Sequence, residues 1–284
     1  VVVLKYLVFV TRADNHGEGG IFSLYALIRK KAPRWTIYVG MIGCCALLAD
    51  GIITPAISLT ASVEGLQLLA PQVPVIPIVI GILVGLFTFQ QFGTEKVGKS
   101  FGPIMLVWFT MLTFWGLRAM SHDWGILQAI NPVYAWEVLT HHPRAWFIVG
   151  AVFLCVTGAE ALYSDLGHVG KKNIRFAWIF VKAALLINYF GQAAWVLGTL
   201  DGQVLPEGSN PFFAIMPRWF VGTGVFVATL ASVVASQALI SGAFSLGLQA
   251  MALGKFMRLK IIHTSANMEG QIYIPVINWG LFTG

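Results

Sequence analysis

Charge is what this sequence has least of. Asp, Glu, Lys and Arg make up 11% of its 284 residues, where an ordinary soluble domain carries roughly 25%. That scarcity excludes a water-soluble fold with a charged shell. Cysteine is sparse too: Cys44, Cys45 and Cys155 are odd in number, lie in apolar stretches and have no regular spacing. They form neither a disulfide framework nor a zinc pattern and read as packing residues. The chain opens on Val1 without a Met, and its first apolar run ends near Val10. Such a run is short for a signal peptide and lacks a cleavage site, so it reads as the tail of a cut helix. Gly17-Glu18-Gly19-Gly20 lacks the Lys and Ser/Thr of a phosphate-binding loop. His141, His142 and His168 sit in loops without metal-ligand spacing, and no nucleophile is paired with a base. No cofactor is expected, and low-complexity tracts, short-period repeats and a soluble domain are missing as well.

What remains is apolar. The sequence is 57% hydrophobic, with 20 Phe, 10 Trp and 30 Gly, and its mean hydropathy is +0.77. Aromatics of this number suit bilayer interfaces, and glycines let helices approach closely. A spanning helix needs about 20 mostly apolar residues. Whole spans are predicted near 36–69, 74–92, 101–120, 145–166, 174–199 and 219–246, with partial helices at 1–10 and 272–284. Residues 1–284 are thus expected to form a single transmembrane domain, incomplete at both ends, in an all-α polytopic membrane protein. The longest stretches exceed the bilayer thickness and must tilt, break or project beyond it.

The net charge of +6 is dispersed among short connections, which speaks against a nucleic-acid surface and for topology signals. Arg12, Arg29, Lys30, Lys31 and Arg34 fall in one connection. Lys96 and Lys99, then Lys171, Lys172 and Arg175, then Lys255, Arg258 and Lys260 fall in every second one after it. The intervening connections carry only Arg118, Arg144 and Arg218. The positive-inside rule makes loops 11–35, 93–100, 167–173 and 254–271 cytoplasmic in a multi-pass protein of the cell (plasma or inner) membrane. The first of these is expected to hold a short helix from Ile21 to Leu27, and the outer segment 121–144 an interfacial hairpin or short helix.

Ionisable groups at membrane depth are expensive and mostly functional. Asp50, Glu160 and Lys182 are the candidates, although Lys182, about two turns beyond Arg175, fits snorkelling to the inner surface better. Asp50, Thr54 and Ser58 recur at i, i+4 and i+8 and share one helical face. Pro55 has no backbone N–H to give the Gly51 carbonyl, so a carboxylate, two hydroxyls and a freed carbonyl gather in one neighbourhood. Oxygen donors without His or Cys suit a hard cation. The plain alternative is that Thr54 and Ser58 bond back to their own helix. A second constellation runs from Thr157 through Gly158 and Glu160 to Asp165, where Gly158 is a plausible break whose carbonyls face a cation. Asn188, Tyr189 and Gln192, and likewise Ser236, Gln237 and Ser241, read as interhelical glue.

These residues lie within segments that resemble the Kup/HAK/KT family of potassium-uptake permeases. The matching segments are 12–20, 50–58, Gly98 to Met105, Thr157 to Tyr163, Asn188 to Gln192, Ser236 to Gly242, Ile261 to Ser265 and Gly270 to Pro275, in family order across the chain. The resemblance implies an inverted five-helix-repeat (LeuT-like) transporter fold, of which this chain is a fragment from the end of the second helix to the start of the ninth. It implies potassium binding at Asp50, Thr54, Ser58 and Thr157, and a transport-linked acid at Glu160. Asp50 and Glu160 are both candidates for proton coupling. The family's first helix also supplies ligands and has no counterpart here. Lys182 and Gly247, where the family commonly has a basic residue, are departures.

The expected activity is uptake of the potassium ion across the cell membrane, as a potassium:proton symporter working by alternating access. Expected partners are potassium, the proton, the lipid bilayer and, by family analogy, a second copy in a homodimer, with no nucleic acid. A potassium-selective, channel-like conductance would share the same oxygen site, and a membrane-embedded enzyme is the remaining class.

Overall fold

The computed structural model describes residues 3–13, 19–92, 95–158, 163, 170–200, 203–206, 208–263 and 272–284. Within lipid a backbone must satisfy its own polar groups, which favours the helix wherever a long apolar run occurs. The described residues accordingly fold as a short helix α1 (Ile21–Ile28), then α2 (Thr36–Glu64), α3 (Val75–Phe89) and α4 (Glu95–Met120). The outer connection holds a tight helical turn, Trp124–Ile130, and α5 (Pro132–His141). There follow α6 (Ala145–Leu154), α7 (Lys171–Leu200), the four-residue α8 (Pro211–Ala214), α9 (Arg218–Ala252) and α10 (Pro275–Thr283). One ribbon interrupts the helical pattern: β1 (Ile262–His263) pairs antiparallel with β2 (Ile272–Tyr273).

Five helices among the described residues are long and apolar enough to cross a membrane, at Thr36–Leu68, Val75–Phe92, Ser100–Met120, Lys171–Leu200 and Arg218–Ala252. The protein is therefore helical and polytopic. Two segments differ from the sequence reading. Within the predicted span 145–166 the described residues form the ten-residue α6 and a turn in which Gly158 takes a φ of +88°, and the rest of that span, apart from Tyr163, lies outside the described residues. That left-handed backbone suits glycine and cannot continue a right-handed helix. At 272–284 a helix begins only at Pro275, because residues 272–273 are held in the ribbon and proline favours the first helical position. At the amino end, residues 3–9 form a wide π-helical turn and 10–12 a tighter one.

The centre of the bundle is α9. Half of its apolar window is buried, against 11–28% for the other four spans. Towards the inner end, Phe244 and Ile240 of α9 pack with Phe87 of α3, Tyr273 of the ribbon and Ile277 and Leu281 of α10. Nearby, Leu246 and Ala250 meet Cys44 and Leu47 of α2 and Phe22 of α1, which lays the first loop's helix against the bundle. Towards the outer end, Val221 and Val225 pack with Met111 and Trp115 of α4 and with Phe213 of α8.

At the α4–α7 crossing the two backbones come close together. A Cβ placed on Gly116 would lie 2.6 Å from the Cα of Asn188, and one on Gly191 would overlap the Gly116 carbonyl. Asn188 donates across the gap to the Leu112 carbonyl at 3.3 Å, and Gln192 donates to the Asn188 side-chain oxygen. Small residues at the contact and a polar side chain as glue are what a helix pair needs in lipid, where acyl chains remove the hydrophobic drive to associate. Gly247 is a packing position too, since a Cβ there would run into Ile277 of α10.

Candidate functional site

The polar stripe on α2 lies beside that helix's buried seam. Leu47, Gly51, Pro55 and Leu59 recur at every fourth residue and are buried. Asp50, Thr54 and Ser58 each precede one of these by a single residue and are half-buried, while Ile53 and Ile57 face outward. More than about 20 Å of helix separates Asp50 from either end of Thr36–Leu68, at 1.5 Å per residue. The stripe is thus at mid-membrane depth.

Within it, the Thr54 hydroxyl donates to Oδ1 of Asp50 at 2.5 Å. Thr60, six residues further on, bonds back to the Ala56 carbonyl in the ordinary manner of a helical threonine. Thr54 thus departs from the local back-bonding pattern and orients a carboxylate. The other carboxylate oxygen, Oδ2, is buried without a hydrogen-bond partner among the described residues. Pro55 is fully buried inside the helix and offers no N–H to Gly51. Ser58 joins the stripe to the central helix, because its carbonyl accepts a hydrogen bond from the Ser232 hydroxyl of α9 at 3.2 Å. Ser236 donates in turn to the Ser232 carbonyl at 2.7 Å. Gln237 is buried beside it, its Oε1 without a hydrogen-bond partner among the described residues.

Of the residues singled out from sequence, the structure brings Asp50 and Thr54 into direct contact and places Ser58 on their stripe. Thr157 is exposed, and its hydroxyl caps the end of α6 by donating to the Leu154 carbonyl at 2.8 Å. Among the described residues no hydrogen bond ties it to the α2 stripe. Glu160 lies outside the described residues. Tyr163, in the same segment, is buried, and its hydroxyl donates to the Ala13 carbonyl at 2.5 Å, fastening this region to the amino-terminal turn. Lys182 is exposed on α7, as a snorkelling residue would be. The residue that sequence reasoning passed over is Ser232; its signal is the i, i+4 spacing to Ser236, which extends the polar edge of that helix by one turn.

Comparison with known proteins bears on the whole chain. The sequence model of the K+ potassium transporter integral membrane domain matches residues 1–284. The chain belongs to the Kup/HAK/KT family. Among curated relatives of that family, the probable potassium transport system protein Kup of Flavobacterium psychrophilum is 51% identical over 284 residues, and that of Flavobacterium johnsoniae 53% over 287. The Enterococcus faecalis protein of the same name is 49% identical over 291 residues. These alignments cover 98–99% of this chain but only 43–44% of each relative, so the chain spans less than half of their length. No solved structure matches. Membership makes this a multi-pass cell-membrane protein of a transporter family, which sets the enzyme class aside.

Proposed function

We propose that this chain supplies one wall of a potassium-uptake pathway, with Asp50 as its charged ligand. The observation that carries the reading is the unpartnered Oδ2 of Asp50, buried at mid-membrane depth while Thr54 holds the other carboxylate oxygen. A buried carboxylate oxygen is costly unless a cation or a proton meets it. Potassium is large and gives up its water readily to oxygens that replace the hydration shell. The Asp50 carboxylate and the hydroxyls of Thr54 and Ser58 offer such oxygens on one stripe, and the Gly51 carbonyl, freed by Pro55, adds another from the adjoining seam. Thr157 would complete the shell from the break after α6, as it would in the LeuT-like arrangement that the family resemblance implies. The names of the relatives support potassium as the cargo.

Movement follows an alternating-access cycle in this proposal, with α9 as the fixed post and α6 as the part that shifts. A proton travels with the ion, carried by Asp50 or Glu160, and a second copy of the chain completes a homodimer. The test is potassium-stimulated proton uptake in proteoliposomes of a full-length transporter carrying this sequence. Proton entry that rises with potassium and disappears in Asp50→Asn is the expected result. Downhill potassium flux without proton movement would assign the protein to the channel class instead. Unchanged uptake by Asp50→Asn would remove the proposed site.

A further inference from the structure

Two cavities meet at Arg118, near the carboxyl end of α4. The first is an apolar groove of about 520 Å³ between α4 and the start of α9, lined by Leu106, Val107, Phe114, Trp115 and Trp219 and closed at one end by Arg118. The second, about 470 Å³, sits at the ends of α4 and α7 and the turn after α8, where Arg118 is joined by His122, Trp195 and Thr199. By the distribution of Lys and Arg this is the outer end of the bundle. Each volume falls in the range of roughly 300–1,000 Å³ typical of sites for small organic molecules. One is a slot for hydrocarbon and the other a mouth of mixed polar and apolar lining.

Charge decides what fits. No carboxylate among the described residues lines either cavity. The Arg118 guanidinium lies 5.4 Å from the centre of the Trp115 ring, and no ion pair or side-chain hydrogen bond engages it among the described residues. Stacked on an aromatic face, a guanidinium keeps its edge donors free for a planar, bidentate partner such as phosphate. The exposed His122 ring is also without a partner there. Exposed Leu106, Val107 and Phe114 descend from the Arg118 end towards the middle of the membrane, while Trp219 flanks the mouth where tryptophan favours the interface.

We infer that this groove is a binding site for one anionic phospholipid of the outer leaflet. Its phosphate sits against Arg118 and His122, and one acyl chain lies along α4 between Leu106 and Trp115. Such a lipid would bridge α4, α7 and α9 at their outer ends.

The experiment reconstitutes a full-length transporter carrying this sequence in phosphatidylcholine vesicles. A trace of lipid with a photoactivatable acyl chain is added, once as phosphatidylglycerol and once as phosphatidylcholine, and adducts are mapped by mass spectrometry. Adducts from phosphatidylglycerol are expected on segment 106–115 and at Trp219. They should fall about fivefold in Arg118→Gln, the loss corresponding to one basic residue near a lipid surface. Arg118→Lys, which keeps the charge, should retain most of the labelling, and Arg144→Gln, at the same face but outside both cavities, all of it. Equal labelling by the two headgroups, or labelling indifferent to Arg118, would reduce the groove to ordinary boundary lipid and overturn the assignment. Absence of adducts from either lipid would show the groove closed to acyl chains, which overturns it equally.

Discussion

At the scale of single residues, α2 separates a threonine that serves its own helix from one that serves a site. Thr60 donates to the carbonyl four residues back, whereas Thr54 donates to the Asp50 carboxylate. Hydrogen bonds to charged groups contribute about 1.5–3 kcal/mol. Thr54→Val, which keeps shape and removes the donor, is therefore expected to weaken apparent potassium affinity about tenfold or more, measured as the half-saturating potassium concentration for uptake. Thr54→Ser should stay near wild type, and an unchanged affinity in Thr54→Val would return Thr54 to a packing role. Asp50, Thr54 and Ser58 were legible as one face because helical spacing alone fixes which side chains align. Ser232 was not, because periodicity orders residues around their own helix and says nothing about which neighbour that face meets. Its bond to the Ser58 carbonyl exists only once α2 and α9 cross.

At the scale of elements, five long apolar runs of the sequence coincide with five described helices long and apolar enough to cross a membrane. In the first part of the segment 145–166, helix α6 ends at Leu154. Its composition is as apolar as its neighbours', but Gly158 adopts a positive φ and the Thr157 hydroxyl closes the end of α6. Hydropathy counts carbon and cannot register a break set by backbone geometry. The α4–α7 crossing was half-legible: Asn188 and Gln192 read as glue, but the partner glycine, Gly116, lies 75 residues away in sequence. Gly191→Ala would force a Cβ into the Gly116 carbonyl, and neither backbone can yield without moving a helix. Overpacking of this kind costs about 1–3 kcal/mol, so the detergent-solubilised protein should lose thermal stability by several degrees. Gly81→Ala, where nothing lies within 4 Å, should leave the melting temperature unchanged. Equal behaviour of the two variants would mean that the crossing is looser than its geometry.

At the scale of the whole molecule, packing and charge point to the same topology without sharing a premise. The alternation of Lys and Arg puts the α1–α2 loop, the start of α4, the start of α7 and the end of α9 on one side. The cores agree: Phe87 near the end of α3, Phe244 in the last third of α9 and Ile277 in α10 share one cluster, while Met111, Phe213 and Val221 share another towards the opposite end. A helix inserted upside down would satisfy neither. With Cys44, Cys45 and Cys155 replaced by serine, a cysteine at exposed Lys30 should therefore react with a membrane-impermeant maleimide only after the cells are opened. A cysteine at exposed His122 should react in intact cells. Neutralising Arg29, Lys30, Lys31 and Arg34 together strips the most basic short connection before α2, and should make a fraction of molecules label at His122→Cys only after opening. Full labelling of His122→Cys in intact cells, with that cluster removed, would mean that the later basic loops and the packing on α9 hold the orientation without it.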